Sequence, residues 1–124
     1  MEKQYTEILQ NIMIKIGIIG LGYWGPNLLR NFDYSSDFEV IYVCDKNVNV
    51  LNKLRLNSKN KIKTDNISQI LKDKSINAVA ISTPVKSHYE IAKKALRAGK
   101  HVFIEKPLAD SSYKCKKLIR LAKQ

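Results

Sequence analysis

The stretch I-K-I-G-I-I-G-L-G-Y-W-G, residues 14–25, decides the fold: an apolar run feeds straight into glycines at 20, 22 and 25, and a helical pattern follows. Each glycine answers a different steric demand. Gly20 lets the strand turn sharply, Gly22 lets the backbone approach a pyrophosphate with no Cβ in the way, and Gly25 lets the helix pack close to the sheet. Free N–H groups at the helix start then face the anion. A glycine-rich turn alone also occurs where no ligand binds and in methyltransferase-like folds, so the surrounding residues carry weight. The pattern asks for an acid at the end of the next strand, about 20 residues on. Residues 39–44, E-V-I-Y-V-C, form such a strand, and Asp45 follows it. A carboxylate there accepts hydrogen bonds from the adenosine ribose and repels a 2′-phosphate, which favours NAD over NADP; Lys46 works against that preference. Asp45 also has a plainer reading as the N-cap of the next helix. The two roles are compatible.

Outward from this unit, strand and helix signals alternate. Strands are expected at 14–19, 39–44, 61–63, 78–82 and 101–105, and helices at 24–32, 48–56, 67–72, 87–98 and 111–122. Pro26 suits the first turn of its helix, Gly99 closes the fourth helix, and Asp110 or Ser111 caps the last. Strands separated by helices require right-handed crossovers. The fold class is therefore α/β, a doubly wound, Rossmann-like parallel sheet of order 3-2-1-4-5. Ahead of it, Tyr5, Ile8, Leu9 and Ile12 share one helical face, so 1–13 reads as a leader or short amphipathic helix and 14–124 as the dinucleotide-binding domain. Met13 is an equally good start.

A chain of 124 residues with 44% hydrophobic and 27% charged positions is a single globular domain. No run reaches the roughly 18 apolar residues of a membrane span. Glu2, Lys3 and Glu7 interrupt the place where a signal peptide needs an apolar core, which points to the cytoplasm. The net charge of +11 comes from lysines scattered over the chain rather than gathered in a patch, so a nucleic-acid partner is not expected. The same field draws in an anionic dinucleotide or nucleotide-sugar. Cys44 and Cys115 give neither a disulfide framework nor a metal spacing, and both read as reduced core fillers.

In an open parallel sheet, ligands collect beyond the carboxyl ends of the strands. There the fourth strand runs into Ser82, Thr83 and Pro84, followed by Ser87 and His88, and the fifth into Glu105, Lys106 and Pro107. Turn chemistry accounts for much of this, with Ser87 as a helix cap. His88 reads as a hydrogen-bonding residue at a helix start before it reads as a catalyst, and Lys106 as a solvated lysine.

Taken together, G-I-I-G-L-G-Y-W-G, V-C-D and I-S-T-P-V-K-S-H-Y-E-I-A-K-K-A-L-R-A-G-K-H-V-F-I-E-K-P-L-A resemble the N-terminal domain of the Gfo/Idh/MocA oxidoreductases, the family of glucose-fructose oxidoreductase and inositol dehydrogenase. The segment G-Y-W-G-P-N-L-L-R-N-F is most similar to members that oxidise nucleotide-linked amino sugars at C3. The resemblance implies hydride transfer between a nicotinamide cofactor and a secondary hydroxyl of a sugar or nucleotide-sugar. It implies that Gly20, Gly22, Tyr23 and Trp24, with Gly25 behind them, line the pyrophosphate. Asp45 and Lys46 then meet the adenosine ribose, and Ser82, Thr83, Pro84 and His88 border the nicotinamide. Glu105 bonds the nicotinamide ribose, Lys106 stands at the reacting centre, and the bond before Pro107 is a candidate cis peptide. An ammonium beside another cation gives up its proton more readily, so Lys106 suits a role in orienting the alcohol and sharing its proton.

The resemblance also implies a sixth strand and a substrate domain that the 124 residues do not hold. The expectation is a truncated domain that binds NAD without turnover alone, with no metal. Apolar surface left along the fifth strand and around Tyr113, Leu118 and Leu121 would favour a homo-oligomer. The alternative is a non-catalytic nucleotide-binding or interaction module.

Overall fold

Ile16, Ile18 and Ile19 are at most 2% exposed, because the strand that carries them lies at the middle of a sheet covered on both faces. The computed structural model describes residues 2–4, 13–56 and 60–124. Strands β1 (Ile14–Ile19), β2 (Phe38–Cys44), β3 (Ile62–Thr64), β4 (Ala78–Ile81) and β5 (His101–Ile104) form one all-parallel sheet of order β3-β2-β1-β4-β5. Between and after them run α1 (Gly25–Tyr34), α2 (Val48–Lys53), α3 (Ile67–Lys72), α4 (Val85–Arg97) and α5 (Ser112–Ala122). The sheet order is the one the sequence implies. The face proposed for Tyr5, Ile8, Leu9 and Ile12 lies outside the described residues.

Two apolar clusters make the fold doubly wound. On one face Ile16, Ile18, Val43 and Ala80 meet Leu29 of α1 and Leu51 of α2. On the other, Ile19, Val79 and Ile81 meet Ile70 of α3, Ile91 and Ala95 of α4, and Leu118 of α5. Burying an isoleucine of this kind contributes about 2 kcal/mol, so Ile18→Ala at 0% exposure would damage the core at its centre. Simple alternation fails in β2. Ile16 pairs with Val40 but Gly17 pairs with Tyr42, leaving Ile41 as an extra residue, and this bulge sends Val40 and Val43 to the same cluster despite their odd spacing.

The ends of elements depart from expectation for local reasons. α2 stops at Lys53 instead of continuing to residue 56, because Leu54 turns extended (φ −71, ψ 124) and, with Leu56, packs on the core. The cap of α2 is Asn47, whose side chain accepts from the Asn49 N–H, so the reading of Asp45 as that cap is corrected. α4 begins at Val85 with Pro84 in the capping position, and Ser87 is not its cap. Instead the Ser87 hydroxyl lies 2.7 Å from both the Pro84 carbonyl and Thr83 Oγ1. Ser111 does cap α5, accepting from the Lys114 N–H, and Gly99 closes α4 with φ +79.

Leu118 is 3% exposed, so it is not part of an open apolar surface; the exposed large hydrophobics of α5 are Tyr113 and Ile119, while the half-exposed Phe103 of β5 turns to the other side of the sheet, against Phe32 of α1. No helix among the described residues is long and apolar enough to cross a membrane.

Candidate functional site

The order of the sheet reverses between β1 and β4, and the glycine turn sits at that point. Gly20 has φ +94, and a Cβ on it would lie 2.7 Å from the Ser82 carbonyl carbon and the Thr83 nitrogen. Only glycine lets the β1 turn and the β4 turn touch in this way. A Cβ on Gly25 would collide with the Gly20 carbonyl, so the helix start is pressed against the turn itself rather than against the sheet as the sequence suggests. Gly22 differs from both: nothing lies within 4 Å of where its Cβ would be. Trp24, at the N-cap of α1, supplies no capping side chain. Among the described residues the backbone N–H groups of Gly22, Tyr23 and Trp24 make no hydrogen bond. Open amides at a helix N-terminus are what an anionic diphosphate requires.

Asp45 closes the side of this turn. Its Oδ2 accepts from the Leu21 N–H at 2.9 Å and its Oδ1 from the Asn47 N–H at 2.8 Å. Each oxygen retains a second acceptor position for a ligand hydroxyl. A cleft of about 660 Å³ opens between these turns, and it gathers Gly20, Gly22, Tyr23, Trp24, Asp45, Lys46, Ser82, Thr83, Pro84, His88, Glu105 and Lys106. Gly25 stands just behind it, buried. The sequence reading missed Asn47, Val50, Ile67, Val85, Lys86 and Ile91, which also line the cleft. Asn47 could have been found as a capping residue directly after Asp45. The apolar members carry no such signal, since core and cleft residues of this kind look alike in sequence.

The charges around the cleft suit an anion. Lys46, Lys86 and Lys106 are exposed at its lining, against the carboxylates of Asp45 and Glu105. His88 is 2% exposed, and its two ring nitrogens approach the carbonyl oxygens of Pro107 and Thr83. The Lys106-Pro107 peptide is cis, as the resemblance implied. Cys44, at the floor, is 1% exposed; burial first, then the carboxylates of Asp45 and Asp65, push its thiol up to about 11, so it stays protonated. That suits a core filler rather than a nucleophile. Among the described residues no group of three or more His, Cys, Asp or Glu is placed to hold a metal.

Comparison with known proteins agrees with this geometry. The family described as "Oxidoreductase family, NAD-binding Rossmann fold" matches residues 14–124. Inositol 2-dehydrogenase of Salmonella typhimurium is 32% identical over 111 residues, covering 86% of this chain and 32% of that protein. The 2,7-anhydro-N-acetylneuraminate hydratase of Escherichia coli is 29% identical over 114 residues, covering 90% of this chain and 29% of its own length. An NAD-binding protein from Listeria innocua superposes with a TM-score of 0.81 at 30% identity, over 89% of this chain and 32% of that one. The chain thus spans about a third of the length of the relatives it matches. With this match over nearly its whole length, the chain belongs to the Gfo/Idh/MocA oxidoreductase family, of which it carries the NAD-binding Rossmann domain.

Proposed function

We propose that the chain binds NAD in the cleft between the β1 and β4 turns, as the cofactor-holding part of an oxidoreductase acting on a secondary hydroxyl of a sugar or nucleotide-sugar. The observation that carries this reading is the set of open amides at Gly22, Tyr23 and Trp24, beside a glycine with clear space in front of it. These amides hold the diphosphate, and the positive charge of Lys46 and Lys86 at the cleft favours an anion. Asp45 receives the adenosine ribose and disfavours a 2′-phosphate, which selects NAD over NADP. Ser82, Thr83, Pro84, His88 and Glu105 border the nicotinamide end. When bound, the nicotinamide supplies the hydride acceptor. Lys106, exposed at the mouth, orients the alcohol and shares its proton.

The name of one relative, inositol 2-dehydrogenase, supports a polyol or sugar substrate. The same reading holds that these 124 residues bind cofactor without turnover, that they reside in the cytoplasm, and that the exposed Tyr113 and Ile119 of α5 favour self-association. Calorimetric titration with NAD, NADP and adenosyl-methionine tests the core of it. Saturable binding that ranks NAD first supports the assignment, and binding of adenosyl-methionine alone, or of none of the three, refutes it. In a longer polypeptide that joins this domain to a substrate domain, Lys106→Ala should abolish most turnover while NAD affinity holds.

A further inference from the structure

The lysines that look scattered along the chain are gathered by the fold. Residues 85–124 hold eleven of the 22 Lys and Arg but three of the 11 Asp and Glu, and eight of those eleven cations lie on α4 and α5. These two helices pack against each other on one face of the sheet. Their spacing is nearly the same. On α4, Tyr89, Lys93 and Arg97 recur at every fourth residue; on α5, Tyr113, Lys117 and Arg120 follow at steps of four and three. Such steps keep side chains on one helical face, so each helix presents a tyrosine, a lysine and an arginine in a row.

The two rows meet. A groove of about 250 Å³ between the helices is lined by Tyr89, Lys93, Arg97, Lys117 and Arg120. Lys93 Nζ lies 5.1 Å from the centre of the Tyr89 ring, and Lys114 Nζ of the other helix lies 5.6 Å from it. Tyr113, 63% exposed, has Lys117 Nζ 4.7 Å from its ring centre. The local carboxylates do not balance these charges: Glu90 pairs with Lys93 and Asp110 with Lys114, whereas Arg97, Lys117 and Arg120 have no acidic partner among the described residues. The helix dipole favours a cation in the last turn, which accounts for Arg97 and Arg120. It does not account for Lys93 and Lys117 a turn earlier, nor for both rows facing one groove.

We propose that the groove between α4 and α5 is a docking site for single-stranded nucleic acid, with phosphates held by Lys93, Arg97, Lys117 and Arg120 and a base stacked on Tyr113. The residue set selects this partner. Arginine forks bond phosphate oxygens two at a time, and every base offers a ring face to a tyrosine. A bilayer surface is flat and meets the rims of a groove rather than cations set along its walls. An acidic peptide would meet the charges and leave the exposed tyrosine without a use. The 13 residues of α4 extend about 20 Å, which gives room for a strand of a few nucleotides. None of these residues lines the cofactor cleft, so the inference stands apart from the reading of that cleft.

Fluorescence anisotropy of a short labelled oligouridine, titrated with the 124-residue chain, tests this. Binding should be saturable, and log affinity should fall with log salt at a slope of about −2 to −3, as expected for three or four neutralised phosphates. Absence of saturable binding, or a flat salt dependence, would overturn the site. Arg97→Glu with Arg120→Glu should lower affinity by roughly tenfold or more, in a protein that circular dichroism shows folded. Arg97→Gln with Arg120→Gln should act in the same direction if the charge swap unfolds α5. The same swap at Lys53 and Arg55, exposed residues of the other face of the sheet, should leave most of the affinity. Equal loss from both swaps would mean that net charge alone attracts the strand, and the groove would be refuted. Tyr113→Ala should weaken oligouridine and leave inorganic polyphosphate unaffected; an unchanged oligouridine affinity would sink the stacking role and with it the choice of nucleic acid. Polyglutamate, or vesicles containing phosphatidylserine, bound through the same arginines while oligouridine stays free would likewise overturn that choice.

Discussion

The carboxylate of Asp45 accepts the backbone N–H of Leu21 at 2.9 Å, so the residue after β2 is fastened to the middle of the turn after β1. Its other oxygen holds the Asn47 N–H, which makes one side chain both a strut of the glycine turn and a candidate ribose acceptor. In Asp45→Asn one of the two oxygens becomes a donor facing another donor. The expected cost is about 1–2 kcal/mol of stability, read as a lowered denaturant midpoint. NAD affinity should fall with it, and the preference over NADP should narrow; calorimetry with both cofactors checks this.

Gly20 and Gly22 should respond in opposite ways to the same change. Gly20→Ala places a methyl 2.7 Å from backbone atoms of Ser82 and Thr83 at φ +94, and should cost about 2–3 kcal/mol. Gly22→Ala meets nothing within 4 Å and should leave thermal stability unchanged while weakening NAD binding, because the methyl enters the space in front of the open amides. Melting curves and titrations on the pair separate a structural glycine from a ligand-facing one.

Tyr42 donates from its hydroxyl to Asp73 Oδ2 at 2.8 Å. The Ser75 hydroxyl first, then Tyr42, hold the Asp73 carboxyl below its ordinary value, while the bond to Asp73 and then burial push Tyr42 up. The Asp73 contribution to stability is present above the unfolded carboxyl's value and fades as pH falls through the folded one. The Tyr42 contribution is present below the unfolded phenol's value and fades as pH rises through the folded one. Tyr42→Phe should therefore destabilise most near neutrality, by about 1 kcal/mol, with the gap closing toward both acid and alkali. Urea midpoints across pH test the shape.

Trp24 is the single tryptophan, 52% exposed at the lip of the cleft. Occupation of the cleft by NAD should change its fluorescence saturably, and Trp24→Phe should silence the signal while binding persists by calorimetry. A signal that follows added nucleotide linearly would mean no specific site near this ring.

The sheet order was legible because strand and helix signals alternate from residue 14 onward, and the glycines at 20, 22 and 25 with Asp45 pointed to the turn where the cleft opens. The element ends were less legible. Leu54 and Leu56 continue a helical apolar pattern in sequence, yet they leave the helix to fill the core. The side chain of Ser87 looks like a cap and instead bonds backward to Thr83 and Pro84. The two carbonyl partners of His88 come from turns 5 and 19 residues away, a convergence that no local pattern encodes.

The extra residue in β2 has a consequence for how the domain tolerates change in chain length. With Ile41 standing outside the one-to-one pairing, Val40 on one side and Tyr42 on the other already match β1 as neighbours would. Shortening the strand there would restore plain alternation without turning Tyr42, Val43 or Cys44 over, and Asp45 would still emerge facing Leu21. The bulge takes up slack in the middle of the strand, so variation in its length need not reach the carboxylate at its end.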